Sequence, residues 1–120
     1  MRNNYCYGKK GENIARIYLI RKGYKILHTN WRFKHQEIDI IALDKENIVF
    51  IEVKTRSSEY FENPKDAVTI KKQKFIINAA NAYIEEREID LEARFDVISI
   101  ILSNPIEIEH IEDAFYPTVK

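Results

Sequence analysis

The apolar positions change their period along the chain, and the changes mark out seven elements. Between residues 8 and 22, Ile14, Ile17 and Tyr18 recur with Ala15 and Leu19 beside them, the spacing of an amphipathic helix, and Gly23 stands where a C-terminal cap belongs. From residue 24 the pattern turns to β-rich runs at 24–33, 37–43 and 48–55, parted by polar clusters around His35 and Lys45. Three runs with such short connections predict an antiparallel meander. Asn63 and Pro64 then offer a cap followed by a first-turn proline. Thr69 offers a second cap before 70–86, where Phe75, Ile76, Ala79, Ala80 and Tyr83 form an apolar face. Strand-like runs at 94–102 and, beyond Asn104 and Pro105, at 106–111 complete the order αβββαββ. The expectation is an α/β fold, one mixed sheet with helices packed on it.

Composition narrows the class. A chain of 120 residues with 45% hydrophobic positions can bury one sizeable core, and no repeat, low-complexity tract or linker divides it, so one domain over 1–120 is expected. The single cysteine, Cys6, excludes an internal disulfide framework and a cysteine-rich zinc site, and reads as an ordinary intracellular thiol. No apolar run approaches the roughly 20 residues that cross a bilayer, and the polar start lacks the apolar stretch of a signal peptide. A cytoplasmic protein without a membrane partner is the expectation.

Charge first argues against a polyanionic partner, because 19 basic residues balance 19 acidic ones. The distribution reverses that inference. Residues 1–34 carry nine bases and one acid, Glu12, a local charge of +8, whereas 85–120 carry three bases and ten acids, a local charge of −7. The basic front can receive phosphates, and the acidic end, which would repel DNA, is expected to lie away from the site or to face a basic partner.

The most informative segment is the charged hairpin from Glu37 to Lys54. Side chains alternate across a strand, so Glu37 and Asp39 are expected on one face with Ile38 and Ile40 on the other, and Glu52 and Lys54 share a face of the next strand. An even loop centred between Lys45 and Glu46 would put Asp39 opposite Glu52 and Glu37 opposite Lys54. Like charges directly opposed are destabilising by up to about 1 kcal/mol, more where water is excluded. A divalent cation removes the conflict, since hard Mg²⁺ takes one or two carboxylates together with water and phosphate oxygens. Lys54 could then hold the attacking water and offset charge on a phosphoryl oxygen. The competing reading is a solvated face of a half-exposed hairpin, whose charges serve solubility.

At these residues the chain resembles a known family. An acid on one strand and Glu-x-Lys on the next resembles the PD-(D/E)XK phosphodiesterases, which include restriction endonucleases and archaeal Holliday-junction resolvases. More closely, the chain resembles the YraN-like family of small bacterial proteins. The matching positions are Gly8, Gly11, Glu12 and Ala15; Gly23, Tyr24, Ile26, Leu27, Asn30 and Arg32; Glu37 to Ala42; Val49 to Lys54 with Arg56; Pro64, Ala67 and Val68; and Arg94 to Val97. The resemblance implies a restriction endonuclease-like αβββαβ core, with Asp39 and Glu52 as metal ligands and Lys54 as the catalytic lysine. Glu12 resembles the helix-borne acid of the resolvase branch, and Glu37 is a further candidate for the metal. Gln36 departs from the glycine usual before Glu-Ile-Asp, which alters the approach of substrate backbone and removes no ligand.

Several side chains carry two readings. Glu12 could be a first-turn acid favoured by the helix dipole, and Glu37 a plain salt bridge to Lys54. Lys9, Lys10, Arg16, Arg32, Lys34 and Arg56, with Lys71, Gln73 and Lys74 on the second helix, are the candidates for nucleic-acid contact; a solvated face is the alternative. Trp31, Tyr24 and Phe33 read as core or dimer surface rather than stacking platforms, and Asp96 as structural. The three histidines lack ligand spacing. The expected function is Mg²⁺- or Mn²⁺-dependent cleavage of phosphodiesters, in DNA rather than RNA and in branched or structured DNA. Two alternatives stand beside it: an inactive nucleic-acid or protein interaction module of the same fold, and a phosphoesterase for a small substrate. A homodimer would suit paired-strand cleavage; a monomer is equally compatible with the sequence.

Overall fold

The structure, a computed structural model, describes residues 4–57 and 68–117, with side chains from residue 8 onward. Its elements are α1 (Asn4–Arg21), β1 (Lys25–Phe33), β2 (Gln36–Asp44), β3 (Asn47–Arg56), α2 (Ile70–Glu86), β4 (Glu92–Ile101) and β5 (Glu107–Phe115), the expected order αβββαββ. The cap expected at Asn63 and Pro64 lies outside the described residues. α1 starts before the expected Gly8; the helix runs through that glycine, whose cost of about 1 kcal/mol relative to alanine is outweighed by anchoring at buried Ala15 and Leu19. Gly23 closes the helix with φ +97°, a conformation that glycine adopts without a Cβ penalty. Thr69 caps α2 by accepting the Lys72 backbone N–H at 3.1 Å.

The five strands form one mixed sheet in the order β1-β2-β3-β4-β5. β1, β2 and β3 make the antiparallel meander, β3 and β4 run parallel across the connection that carries α2, and β5 returns antiparallel at the edge. The helices cover opposite faces. Ala15 and Leu19 of α1 pack with Ile40, Ala42, Val49, Ile51, Val53, Ile98 and Ile100. Ile76, Ala79, Ala80 and Tyr83 of α2 pack with Ile38, Ile41, Ile48, Phe50, Phe95 and Val97. This is the α/β architecture of an αβββαβ core with one further strand. No helix among the described residues is long and apolar enough to cross a membrane.

The first strand's aromatics take the core reading: Tyr24 is buried on the α1 side, and Trp31 and Phe33 pack against the α2-side core. One expectation fails. Ile38 and Ile40 do not share a face, because Ile38 joins the α2-side core and Ile40 the α1-side core. The strand changes sides at Asp39, between them, and the opposing strand β1 has Asn30 at φ +52° beside the same point.

The acidic end is only partly apart from the basic front: Tyr18 of α1 reaches His110 of β5, and Lys22 just beyond α1 lies 3.8 Å from Glu112. β5, with Glu107 and Glu109 exposed, forms the edge farthest from β1, separated from β2 by two strands.

Candidate functional site at a fork in the sheet

The hairpin register is the expected one over most of its length, with Asp44 opposite Asn47 and Ile40 opposite Ile51. There the β2–β3 ladder stops. β2 continues to Gln36 paired only with β1, and β3 continues to Arg56 paired only with β4, so the sheet forks. Asp39 and Glu52 are the first residues past the last ladder pair, one on each prong. Asp39 and Glu52 are therefore not a directly opposed ladder pair. Instead Asp39 Oδ2 accepts the Val53 backbone N–H at 2.8 Å, supplying the partner that the parted strand no longer offers. The Asp39 and Glu52 carboxyl groups still meet past the end of the ladder, whereas Glu37 does not meet Lys54: it lies opposite Arg32 on β1, with 3.7 Å between their charged groups.

Each prong brings in one helix. On the α1 side, Gly11 lets the helix approach β3 so closely that a Cβ there would collide with the side chain of Thr55. The next residue, Glu12, consequently faces the fork, and its Oε1 accepts a 3.0 Å hydrogen bond from Asn30 Nδ2. A cavity of about 130 Å³ is lined by Lys9, Glu12, Asn13, Arg16, Thr29, Asn30, Asp39 and Ile40. Beside it, a cavity of about 330 Å³ adds Gly8 and Glu37. On the α2 side, Glu52 is 6% exposed, and two ammonium groups, Lys54 Nζ and Lys72 Nζ, each lie 4.0 Å from its Oε2. Its other oxygen, Oε1, is buried with no hydrogen-bond partner among the described residues.

The electrostatics follow from this placement. Burial pushes the Asp39 carboxyl well above the usual carboxylate range; the Glu52 charge and then Glu12 add to the rise, while the Val53 N–H and Lys72 oppose it. Burial likewise raises Glu52, against the pull of Lys72 and Lys54. Asp39 and Glu52 thus stand in a place that penalises their charge, with Glu12 close by, and a buried orphan oxygen normally costs about 1–3 kcal/mol. An oxygen-only donor set with uncompensated charge is what Mg²⁺ or Mn²⁺ takes. Among the described residues no three acidic, histidine or cysteine side chains sit close enough to form a closed metal cage. The fit is therefore to a cation bound by one or two carboxylates that keeps water or substrate oxygens.

The basic candidates divide. Lys9 and Arg16 line the α1-side cavity with Glu12 and Asp39. Lys10 is exposed on the same helix, and Arg32 and Lys34 are exposed at the end of β1. Arg56 is buried at the end of β3. Gln73 and Lys74 line a separate hollow with Tyr116 and Pro117, and Gln73 Nε2 donates to the Val68 carbonyl; Lys71 is exposed nearby on α2. The lysine of α2 that reaches the carboxylates is Lys72, which sequence reasoning passed over in favour of its neighbours. A signal was present: Lys72 is in helical phase with Ile76, Ala79, Ala80 and Tyr83, the buried face, so its stem must run toward the sheet. Asn30, which holds Glu12, stood among the positions that match the family motif but carried no sign of a role at the site beyond its tolerance of a left-handed backbone.

Comparison with known proteins agrees with the motif pattern. A family model described as "Uncharacterised protein family UPF0102" matches residues 11–100. A UPF0102 protein of Parabacteroides distasonis is 47% identical over 110 residues, covering 91% of both chains. One from Phocaeicola vulgatus is 47% identical over 114 residues, covering 94% of both. One from Chlorobium chlorochromatii is 44% identical, covering 95% of both.

Proposed function

Since the chain belongs to the UPF0102 family, the YraN-like family its motifs resemble, we propose from the site itself that it is a divalent-metal-dependent endonuclease of the PD-(D/E)XK kind, akin to the junction resolvases, acting on branched or otherwise structured DNA in the cytoplasm. The observation that carries this reading is the fork, where Asp39 and Glu52 stand past the last ladder pair with the Glu52 oxygen Oε1 buried and unpartnered.

In this reading Asp39 and Glu52 hold Mg²⁺ or Mn²⁺, and Glu12, fixed by Asn30, and Glu37 stand at the same opening. Bound there, the cation would supply Lewis acidity and charge neutralisation to a phosphodiester. Lys54 leans over Glu52 with its ammonium partly exposed, placed to orient a water and to offset charge growing on a phosphoryl oxygen. Lys9 and Arg16 line the opening, and together with Lys10, Arg32 and Lys34, exposed on α1 and at the end of β1, they would meet backbone phosphates on either side of the scissile bond.

The test is nicking of supercoiled and four-way-junction DNA in Mg²⁺ or Mn²⁺. Glu52→Gln and Lys54→Ala should each lower the rate by about 10³-fold, the scale of losing one strong charge-stabilising group, with circular dichroism unchanged. Cleavage that survives both substitutions overturns the assignment. Salt-sensitive DNA binding that persists in EDTA, without nicking by the wild type, would favour the interaction module.

A further inference from the structure

We propose that Lys72 is a resident counter-ion of the carboxylate fork, one that stands in for part of the divalent cation's charge beside Glu52 and has to yield when a metal binds. This inference rests on the metal-dependent reading above.

Both ends of Lys72 are tied down. Its backbone N–H is the one that Thr69 caps, and its stem lies in phase with the buried face of α2, so the side chain is directed at the sheet rather than into solvent. At the far end, Nζ lies 4.0 Å from Glu52 Oε2 and donates to Gln36 Oε1 at 3.4 Å, while passing 5.7 Å from the centre of the Phe75 ring. The ammonium group is therefore held between a carboxylate and a neutral amide oxygen.

That placement differs from an ordinary structural ion pair. A pair built for stability makes short, charge-assisted hydrogen bonds, at roughly 2.7–2.9 Å. Here the separation is at the limit of an ion pair, and both cations gather on Oε2 while Oε1 is left without a partner. Lys72 offsets the Glu52 charge without filling the carboxylate's coordination. It is less exposed than Lys54, so its charge is the less screened of the two. It is also the largest influence lowering the Glu52 pKa, and it acts on Asp39 in the same direction. The Gln36 oxygen gives the ammonium a second acceptor once a stronger cation takes the carboxylate. Lys72 is thus a positioning residue that keeps two crowded acids in place before metal arrives.

A counter-ion competes with the ion it replaces, and this separates the proposal from a purely structural role. Mn²⁺ is titrated calorimetrically into the full chain after EDTA stripping, for the wild type, Lys72→Met and Lys72→Arg. Lys72→Met should bind Mn²⁺ about tenfold more tightly, because one nearby positive charge is gone. Its thermal midpoint should fall without metal and rise with Mn²⁺ by more than that of the wild type. Lys72→Arg, which keeps the charge, should stay within about twofold of the wild type. Should Lys72→Met fail to fold, Lys72→Gln carries the same expectation. Unchanged or weaker Mn²⁺ affinity in the neutral variant, with the wild type binding, overturns the counter-ion role alone. Absence of Mn²⁺ uptake by the wild type overturns the metal reading and this inference with it.

Discussion

Two groups of buried acids sit on the same sheet, and they are treated in opposite ways. Asp96 of β4 is fully buried, and every demand of its carboxylate is met: Arg94 donates from Nε at 3.0 Å and Nη2 at 2.9 Å, the Asp113 N–H donates at 3.1 Å, and His110 Nε2 lies 2.7 Å away. Because an ionised carboxylate only accepts, His110 donates to it from Nε2, and the other ring nitrogen, Nδ1, lies 3.1 Å from Tyr18 OH. Arg94 goes on to Asp44 and Tyr24, and burial pushes the Tyr24 hydroxyl up to about 12. Burial alone would raise Asp96, yet the hydrogen bonds from His110 and Arg94 and the Asp113 N–H leave it below its ordinary value. At the fork the balance is reversed, and Asp39 and Glu52 are raised. One cluster is complete and ties β4 to β5, α1 and the β2–β3 turn. The other is left short of positive charge, which is the state expected of a site that awaits a cation and a substrate.

The largest effect expected from this contrast is at the completed cluster. Asp96→Ala leaves Arg94 and His110 buried against an empty position and should cost about 3–5 kcal/mol in chemical denaturation; a loss below about 1 kcal/mol would erase the distinction between the clusters. Next comes the approach of α1 to the fork. Gly11→Ala forces the helix away from Thr55 and should cost about 1–3 kcal/mol, with Mn²⁺ affinity falling as Glu12 recedes. Wild-type stability and unchanged Mn²⁺ affinity would show that the close packing does not set up the site.

The smallest effect has the opposite sign. Asp39→Asn keeps an oxygen for the Val53 N–H and removes one of the crowded charges, so without metal it should stabilise the protein by about 1 kcal/mol at pH 7.5, roughly 3–5 °C in Tm. The pH dependence sharpens the point. Because the folded-state pKa values of Asp39 and Glu52 are raised, the native state binds more protons than the unfolded chain, and their contribution to stability declines as pH rises from about 4 through the raised values. Asp96 runs the other way: its contribution is present above about pH 4 and is lost as pH falls through its lowered value. Asp39→Asn should flatten the first limb and leave the acid limb alone. A variant that melts lower than the wild type at pH 7.5 would refute the crowding of charge at the fork.

Much of this architecture was legible in residue order. Gly23 and Thr69 marked helix ends, the polar turn at Lys45 set the hairpin register, and the apolar phase of 70–86 assigned the face that α2 buries. Asp96 was readable as structural. The fork was not, because strict alternation assumes an unbroken ladder, and the Asp39 carboxylate bonding to the Val53 backbone is a long-range event that no local pattern records. Glu37 was misplaced for the same reason: with the strands parted, its neighbour is Arg32 across β1. Lys72 was hidden among three lysines that composition treats alike and that helical phase separates.

The sequence by itself determined the elements, the hairpin register and the segregation of charge, since periodicity, turn chemistry and residue type are local properties; it singled out Asp39, Glu52 and Lys54 on the hairpin, and Glu12 joined them only through the family resemblance. The tertiary structure alone decided where the β2–β3 ladder ends, that Gly11 admits α1 beside Thr55, and that Lys72 rather than Lys71 or Lys74 reaches Glu52. Those outcomes depend on how two helices settle on opposite faces of one sheet, and burial and Coulomb energies take their values only once those distances exist.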